Sequence, residues 1–369
     1  MPSLIRAAVC RAFGAPLTIE TLTLRDPGPG EIAVAVEAVA ICHSDISYIE
    51  GAWGGALPAV YGHEAAGRIT ALGAGVTDLA LGQRVLVTLM RACGRCASCA
   101  GGAPVYCRGN LPAAPKFTDA SGAAVHAAMD CGAFAETIIV EPSQVAPLGD
   151  AIAPDVACLL ACGVPTGVGA VVNTARVRPG ETVVVIGAGG VGLNVVQGAR
   201  IAGAGRIVAM DLEPGKLDDA RSFGATDTIL ATEREPWRAL SALTAGRMAQ
   251  HVFVSVGAIA AYDVAPRLLA WGGTIYAVGM PHSGDTARYE PVIMAFTGQG
   301  MRGTKMGDVV LARDIPWMVD LYSQGRLQLD PLVSRRWAFA DINAAIADTN
   351  AGQARRNVVV MGARDAGAA

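Results

Sequence analysis

Two hydrophobic rhythms divide the chain. From Ala7 to Val39, apolar and polar positions alternate in short runs separated by glycine and proline, as in Pro27-Gly28-Pro29-Gly30-Glu31 ahead of Ile32. A period of two predicts half-buried antiparallel strands closed by turns. Similar runs follow Gly62-His63-Glu64 up to the turn at Gly73 to Gly75, continue through Leu81-Gly82-Gln83-Arg84-Val85, and return at Thr137 to Glu141. Between them, Lys116 to Met129 is polar and reads as an irregular loop, with His126 as a surface histidine. Ala151 to Leu160 reads as an apolar helix that Gly163, Pro165 and Gly167 break, and a second helix runs from about Gly169 to Ala175.

Past Thr182 the rhythm changes. Short continuous apolar runs, Thr182 to Ile186, Arg206 to Met210, Thr228 to Leu230, Val252 to Val256 and Gly273 to Val278, alternate with the helix-compatible segments Lys216 to Gly224, Trp237 to Ala245 and Tyr262 to Leu269. Strands buried on both faces and alternating with helices predict a doubly wound parallel sheet. The elements after about Lys305 (a helix from Pro316, a strand near Val333, a helix from Ala340 and the strand Asn357 to Met361) have no place in a regular sheet of that kind. They are assigned back to the first domain, and Ala363 to Ala369 are expected to fray. The expected organisation is α/β, with a β-rich domain over 1–163 and 307–369 and a doubly wound domain over 164–306.

The turn after Thr182 to Ile186 carries the first chemistry. Gly187-Ala188-Gly189-Gly190-Val191-Gly192 lies between a strand and a helix, and Asp211 ends the next strand, 19 residues beyond Gly192. This order fits a dinucleotide site. Gly187 permits the turn, Gly189 lets backbone N–H groups approach a pyrophosphate, and Gly192 lets the helix lie close to the strand. The helix N-terminus favours the phosphates. Asp211 at a strand end favours NAD over NADP by binding a ribose diol and repelling a 2′-phosphate.

Composition narrows the options. A net charge of −3 over 369 residues gives no basic field for nucleic acid or an anionic membrane. Mean hydropathy is +0.39, but the most apolar windows are interrupted by proline or glycine and read as buried pieces of fold. The N-terminal stretch has Arg6 and Arg11 within any apolar core, which argues against a signal peptide, so a cytoplasmic location is expected.

Nine cysteines in a reducing compartment call for metal or chemistry. Cys93, Cys96, Cys99 and Cys107 follow C-x2-C-x2-C-x7-C, four soft ligands that suit a closed tetrahedral Zn2+ site; an iron–sulfur cluster or a redox pair are the competing readings. Cys42, His63 and Cys162 remain as ligand candidates, each beside glycine-rich or turn sequence. Two thiolates and an imidazole leave one position of Zn2+ open. Singly, each residue has an ordinary alternative as a core thiol or a satisfied histidine. Cys10, Cys131 and Cys158 lack comparable context and are read as core thiols.

These motifs resemble the zinc-containing medium-chain alcohol dehydrogenases nearly end to end: the spacing from Cys42 to His63, the four-cysteine lobe, Cys162-Gly-x-x-Thr-Gly, the Gly187 turn with Asp211, and Leu329-Asp330-Pro331-Leu332. The resemblance implies a GroES-like β-rich catalytic domain beside a Rossmann domain. It also implies one catalytic and one structural Zn2+ per chain, and NAD-dependent interconversion of an alcohol with an aldehyde or ketone. Cys42, His63 and Cys162 would hold the catalytic zinc. Ser44 resembles the hydroxyl that accepts the alcohol proton, Asp45 the carboxylate that orients His63, and Glu64 the acid that approaches the metal during ligand exchange. Toward the cofactor it implies Thr166, Gly187, Gly189, Gly190, Val191, Gly192, Asp211, Lys216, Val278 and Arg356, the last on the pyrophosphate. His43 and Ser47 depart from the arginine and histidine of animal members. His43 is expected at the cofactor phosphates, and Ser47 cannot relay a proton as a base.

The matching pocket positions, Trp53, Leu89, Met129 and Val278, are apolar. A homodimer joined through Thr274 to Val278 as an edge strand is expected, with a tetramer as the alternative. Two further readings stay open: oxidation of a thiol–formaldehyde adduct, with Arg91 or Arg95 as the nearest cations, and a non-catalytic nucleotide-binding relative.

Overall fold

The computed structural model describes residues 2–109 and 114–362 and divides into two compact units. The 363–369 segment, expected to fray, lies outside the described residues. The first unit comprises Met1–Cys162, Val310–Asp320 and Leu329–Ala369; the second comprises Gly163–Val309 and Leu321–Gln328.

The first unit is β-rich. Ser3–Cys10, Thr18–Leu24, Phe117–Thr118, Ala124–Ala127 and Ala59–Val60 close into a small barrel. A seven-stranded sheet runs in the order Val145–Pro147, Arg84–Thr88, Glu64–Leu72, Ile32–Ala40, Arg356–Val360 and Val333–Ala338, with Thr137–Val140 also paired to Ile32–Ala40. Pairing is antiparallel except for Val333–Ala338 with Arg356–Val360 and Ala59–Val60 with Ala124–Ala127. Alternation along the strands sends one set of side chains, including Val34, Val36, Ala65, Ile69, Val85 and Val87, into a common core with Phe117 and Phe134. The segment read as an irregular loop after Lys116 therefore contributes two barrel strands. They are two and four residues long, too short to show a period.

The second unit is a six-stranded parallel sheet ordered Asp227–Leu230, Arg206–Asp211, Thr182–Ile186, Ala249–Val254, Leu269–Ala277 and Gly300–Gly303. The first three strands run outward one way and the last three the other, which places the switch of strand order beside Thr182–Ile186. Two expectations need correction. Leu269–Ala277 is not an edge strand, because Gly300–Gly303 pairs along its outer side. Gly163–Gly169 is helical rather than broken and runs on into Ala170–Ala175. Pro165 is the third residue of that helix, where its missing N–H costs no intrahelical bond. Its glycines serve close packing: a Cβ on Gly167 would lie 2.6 Å from Asn194 Cβ, and one on Gly169 would lie 2.5 Å from Gly307 O.

Candidate metal and dinucleotide sites

Cys42 precedes a short helix, His43–Ile49, and Asp45 in its first turn reaches back so that Cys42 N–H donates to Asp45 Oδ2 at 3.1 Å. The other oxygen, Oδ1, accepts from Gly62 N–H at 3.0 Å and faces His63 Nδ1 at 3.0 Å. Gly62 has φ +91°, and a Cβ there would lie 2.7 Å from Phe134 N, so only glycine lets the chain deliver His63 at this point. Asp45, His63 and Glu64 are fully buried. The ligand atoms of Cys42, His63, Glu64 and Cys162 all lie within 4.8 Å of one another.

The electrostatics of this cluster are those of a coupled set. The hydrogen bond from Cys162 holds Cys42 well below the ordinary thiol range, helped by His63, while the same bond and burial push Cys162 well above it. Burial alone would depress His63, but the Asp45 carboxylate outweighs it and raises the imidazole. Burial pushes Glu64 up to about 7 against the pull of Arg356. Arg356, itself buried, forms an ion pair with Glu64 through Oε2. His63 Nε2 has no hydrogen-bond partner among the described residues, although it is buried. An orphaned imidazole nitrogen held in place by a carboxylate on the other nitrogen, beside two thiols, is the donor set of a Zn2+ site, and the residues fit the metal.

Ser44, partly exposed, follows His43, which is exposed at the helix start. Four residues past Ser44, Tyr48 packs edge-on against Trp53 at 5.1 Å and parallel to Tyr61 at 6.1 Å. The sequence singled out only Trp53. The Ser44 to Tyr48 spacing, one helical turn, was the available signal once the helix was known. Leu89 and Met129 are partly buried against the barrel core, Met129 with φ 51°.

The four lobe cysteines also converge, with their sulfurs within 4.8 Å. Backbone N–H groups of Cys93 and Gly109 approach Cys107 Sγ at 3.3 and 3.4 Å, and that of Cys96 approaches Cys93 Sγ at 3.3 Å. N–H donors from Cys99 and Arg108 bring Cys96 down to about 6, whereas burial and the neighbouring thiols push Cys99 up to about 12. Four thiols with such donors suit a closed Zn2+ site.

In the second unit, Gly187 has φ +96°, and a Cβ on it would lie 2.4 Å from Val256 Cγ1. Gly192 lies so close to the turn that its Cβ would meet Gly187 O at 1.8 Å. Gly189, ahead of the helix Gly190–Ile201, has nothing among the described residues within 4 Å of a Cβ, a cradle suited to a phosphate. Asp211 Oδ2 accepts from Ala188 N–H at 2.7 Å and Oδ1 from Glu213 N–H at 3.1 Å, which ties the acid to the turn. Gly190 and Val191 open the helix. Val278 N–H donates to Val254 O at 3.0 Å, Thr166 Oγ1 contacts Met306 Sδ at 3.6 Å, and Lys216 is partly exposed in the helix Pro214–Phe223.

Comparison with known proteins follows the same division. Residues 28–150 match the alcohol dehydrogenase GroES-like domain, and residues 190–324 match the zinc-binding dehydrogenase domain. The chain belongs to the zinc-dependent medium-chain alcohol dehydrogenase family and is an oxidoreductase by that membership. It is 34% identical over 368 residues to the S-(hydroxymethyl)glutathione dehydrogenase of Synechocystis sp., a match that covers 96% of this chain and 99% of the relative. Among solved structures, an alcohol dehydrogenase zinc-binding domain protein from Burkholderia ambifaria is 34% identical with TM-score 0.93, covering 98% and 99% of the two chains. Benzyl alcohol dehydrogenase from Acinetobacter calcoaceticus is 30% identical with TM-score 0.91, covering 98% and 100%.

Proposed function

We propose that the protein oxidises an alcohol with NAD, or reduces the matching aldehyde or ketone, at the Cys42, His63 and Cys162 cluster. The observation that carries this reading is the buried, unpartnered His63 Nε2 set among two thiols. Zn2+ bound there supplies Lewis acidity that lowers the pKa of an alcohol, as it does that of water, to about 7. The protein's own residues do the rest. Asp45 holds the proton on His63 Nδ1 and keeps Nε2 free to ligate. Ser44 Oγ takes the substrate hydroxyl proton. Ser47 cannot act as a base, so any onward relay from Ser44 would need a hydroxyl supplied by the bound cofactor and water. Arg356 neutralises Glu64 and keeps it poised beside the cluster. NAD would supply the hydride acceptor, with Gly187, Gly189, Gly190, Val191 and Gly192 at its pyrophosphate and Asp211 at its ribose. Thr166, Lys216, Val278, His43 and Arg356 are the remaining proposed contacts.

The apolar positions Trp53, Leu89, Met129 and Val278 support an aromatic or branched alcohol, and Tyr48 packs edge-on against Trp53. A second reading, oxidation of a thiol–formaldehyde adduct, is favoured by the names of the similar proteins. Arg91, one of the two cations that reading nominated, pairs with Glu141 and lies 3.7 Å from Asp130, so its charge is already matched. An absorbance assay for NADH with benzylic, branched and short alcohols, and with glutathione plus formaldehyde, decides between them. Turnover of the glutathione adduct alone would overturn the first reading.

We also propose a homodimer in the cytoplasm. Among the described residues Gly300–Gly303 is an open sheet edge, flanked by exposed Trp271, Val292, Phe296 and Met301, and Trp271 and Phe296 meet edge-on at 5.4 Å. A bare edge with an apolar border favours pairing with a second copy. Both thiol clusters require reduced cysteine, which suits the cytoplasm. No single helix among the described residues is long and apolar enough to cross a membrane. Light scattering on Trp271→Glu should show monomers where the parent is dimeric; a monomeric parent would defeat the assignment.

A further inference from the structure

Glu64 has a neighbour that no motif announces. In the antiparallel pair of Glu64–Leu72 and Arg84–Thr88, Glu64 stands directly opposite Thr88. Side chains so paired leave the same face of the sheet with Cβ atoms about 4.5 to 5.5 Å apart. Residues of the other parity, Ala65, Ile69, Val85 and Val87, fill the barrel core. Glu64 and Thr88 therefore face away from that core, toward Cys158–Ala161, which packs across both strands. Both residues are fully buried.

Each also carries an orphan. Arg356 takes Glu64 Oε2, while Glu64 Oε1 and Thr88 Oγ1 have no hydrogen-bond partner among the described residues. The backbone of Thr88 is already in use, since its carbonyl accepts from Gln144 Nε2 at 3.2 Å. A carboxylate oxygen only accepts and a hydroxyl can donate, so the two orphans are complementary.

We propose that Thr88 is a positioning residue for Glu64. Its hydroxyl donates to Oε1, directly after a χ1 rotation or through one bridging water, while Arg356 holds Oε2. The carboxyl is then tethered at both oxygens, which restrains its final approach although its ligand atom already lies within 4.8 Å of those of Cys42, His63 and Cys162. This rests on the reading of Cys42, His63 and Cys162 as a Zn2+ site, where Glu64 is the group free to approach the metal. Removing the hydroxyl releases one tether, so Glu64 approaches more often and the metal exchanges faster.

The test uses the zinc-loaded full-length protein and follows metal release from the cluster to a colorimetric chelator. Thr88→Val, close in shape but without a donor, should speed release roughly threefold to tenfold, the range that one hydrogen bond spans. Thr88→Ser should release at the parent rate. In a Glu64→Leu background, Thr88→Val should have no further effect. Equal rates for Thr88→Val and parent, a Thr88→Ser that behaves like Thr88→Val, or an effect that persists without Glu64 overturns the proposal. Thermal unfolding of the same four proteins in the cycle gives a reading that does not depend on the metal: the double variant should shift the midpoint by less than the sum of the singles, and additive shifts count against the tether. Should Glu64→Leu fail to fold, Thr88→Val against Thr88→Ser decides alone. A parent that forms no NADH from any alcohol would sink the proposed function while leaving these rates and midpoints readable.

Discussion

Asp45→Asn is the substitution that asks most of the site with the least change in shape. Asp45 accepts three hydrogen bonds in a fully buried setting, from Cys42 N–H, Gly62 N–H and His63 Nδ1. Asparagine offers one oxygen and one NH2. If its oxygen keeps Gly62 and His63, its NH2 faces the Cys42 N–H, and two donors confront each other with no acceptor. A buried donor left in that state costs about 1 to 3 kcal/mol. In a unit of this size that lowers the unfolding midpoint by about 2 to 12 °C. The metal should suffer as well, because the carboxylate that orients a ligating histidine and raises its basicity is gone. Loss of such a partner weakens metal affinity by about 10- to 100-fold, which is about 1.4 to 2.8 kcal/mol. Asp45→Ala orphans all three donors and should cost at least about 3 kcal/mol. The assays are chelator competition for the cluster metal and thermal unfolding, with the lobe metal as an internal reference that should stay bound. A variant that binds Zn2+ within twofold of the parent and unfolds at the parent's midpoint would show that Asp45 does not organise the site.

Asp211→Ser should lower the NAD over NADP ratio of kcat/KM by about tenfold or more, equivalent to ~1.4 kcal/mol of discrimination; an unchanged ratio removes Asp211 from cofactor choice. In the lobe, Gly109→Ala would drive a Cβ to 2.5 Å from Cys93 Sγ, so metal analysis should find about one zinc per chain, against about two for the parent. Two zinc ions in that variant would show that the lobe yields around the methyl group. Glu31 is bound by Arg25 at 2.6 and 2.8 Å and by Gly28 N–H at 2.7 Å, and the Arg25 hydrogen bonds hold its pKa below the ordinary value. Its stabilising effect is therefore complete above the unfolded carboxylate pKa of about 4.3 and is lost as pH falls through the lower folded value. Glu31→Gln should flatten the midpoint-against-pH curve on that acid limb, and parallel curves for variant and parent would refute the assignment.

What the sequence could show depended on whether a residue's task was local. The doubly wound sheet was readable because its strands are continuous apolar runs, and the β-rich unit because Ile32–Ala40 and its neighbours alternate. The edge was misplaced because Gly300–Gly303 is half glycine and has no strand propensity of its own; it is a strand only because Leu269–Ala277 offers it a partner. Glycine carries two meanings that one sequence does not separate. At Gly187 it serves a positive φ, and the chain turns; at Gly167 and Gly169 it serves contact, and the helix continues where a break was expected. The same division runs through the candidate site. Cys42, His63 and Cys162 stand out by type and context, and Asp45 by its place three residues after Cys42. The groups that hold Glu64 have no such signature. Arg356 lies 292 positions away, and Thr88 meets Glu64 only through the register of two strands. Atoms that bind or react must be of a few chemical kinds, so they can be picked out along a chain. The atoms that aim them need only be near, and nearness is decided by the fold.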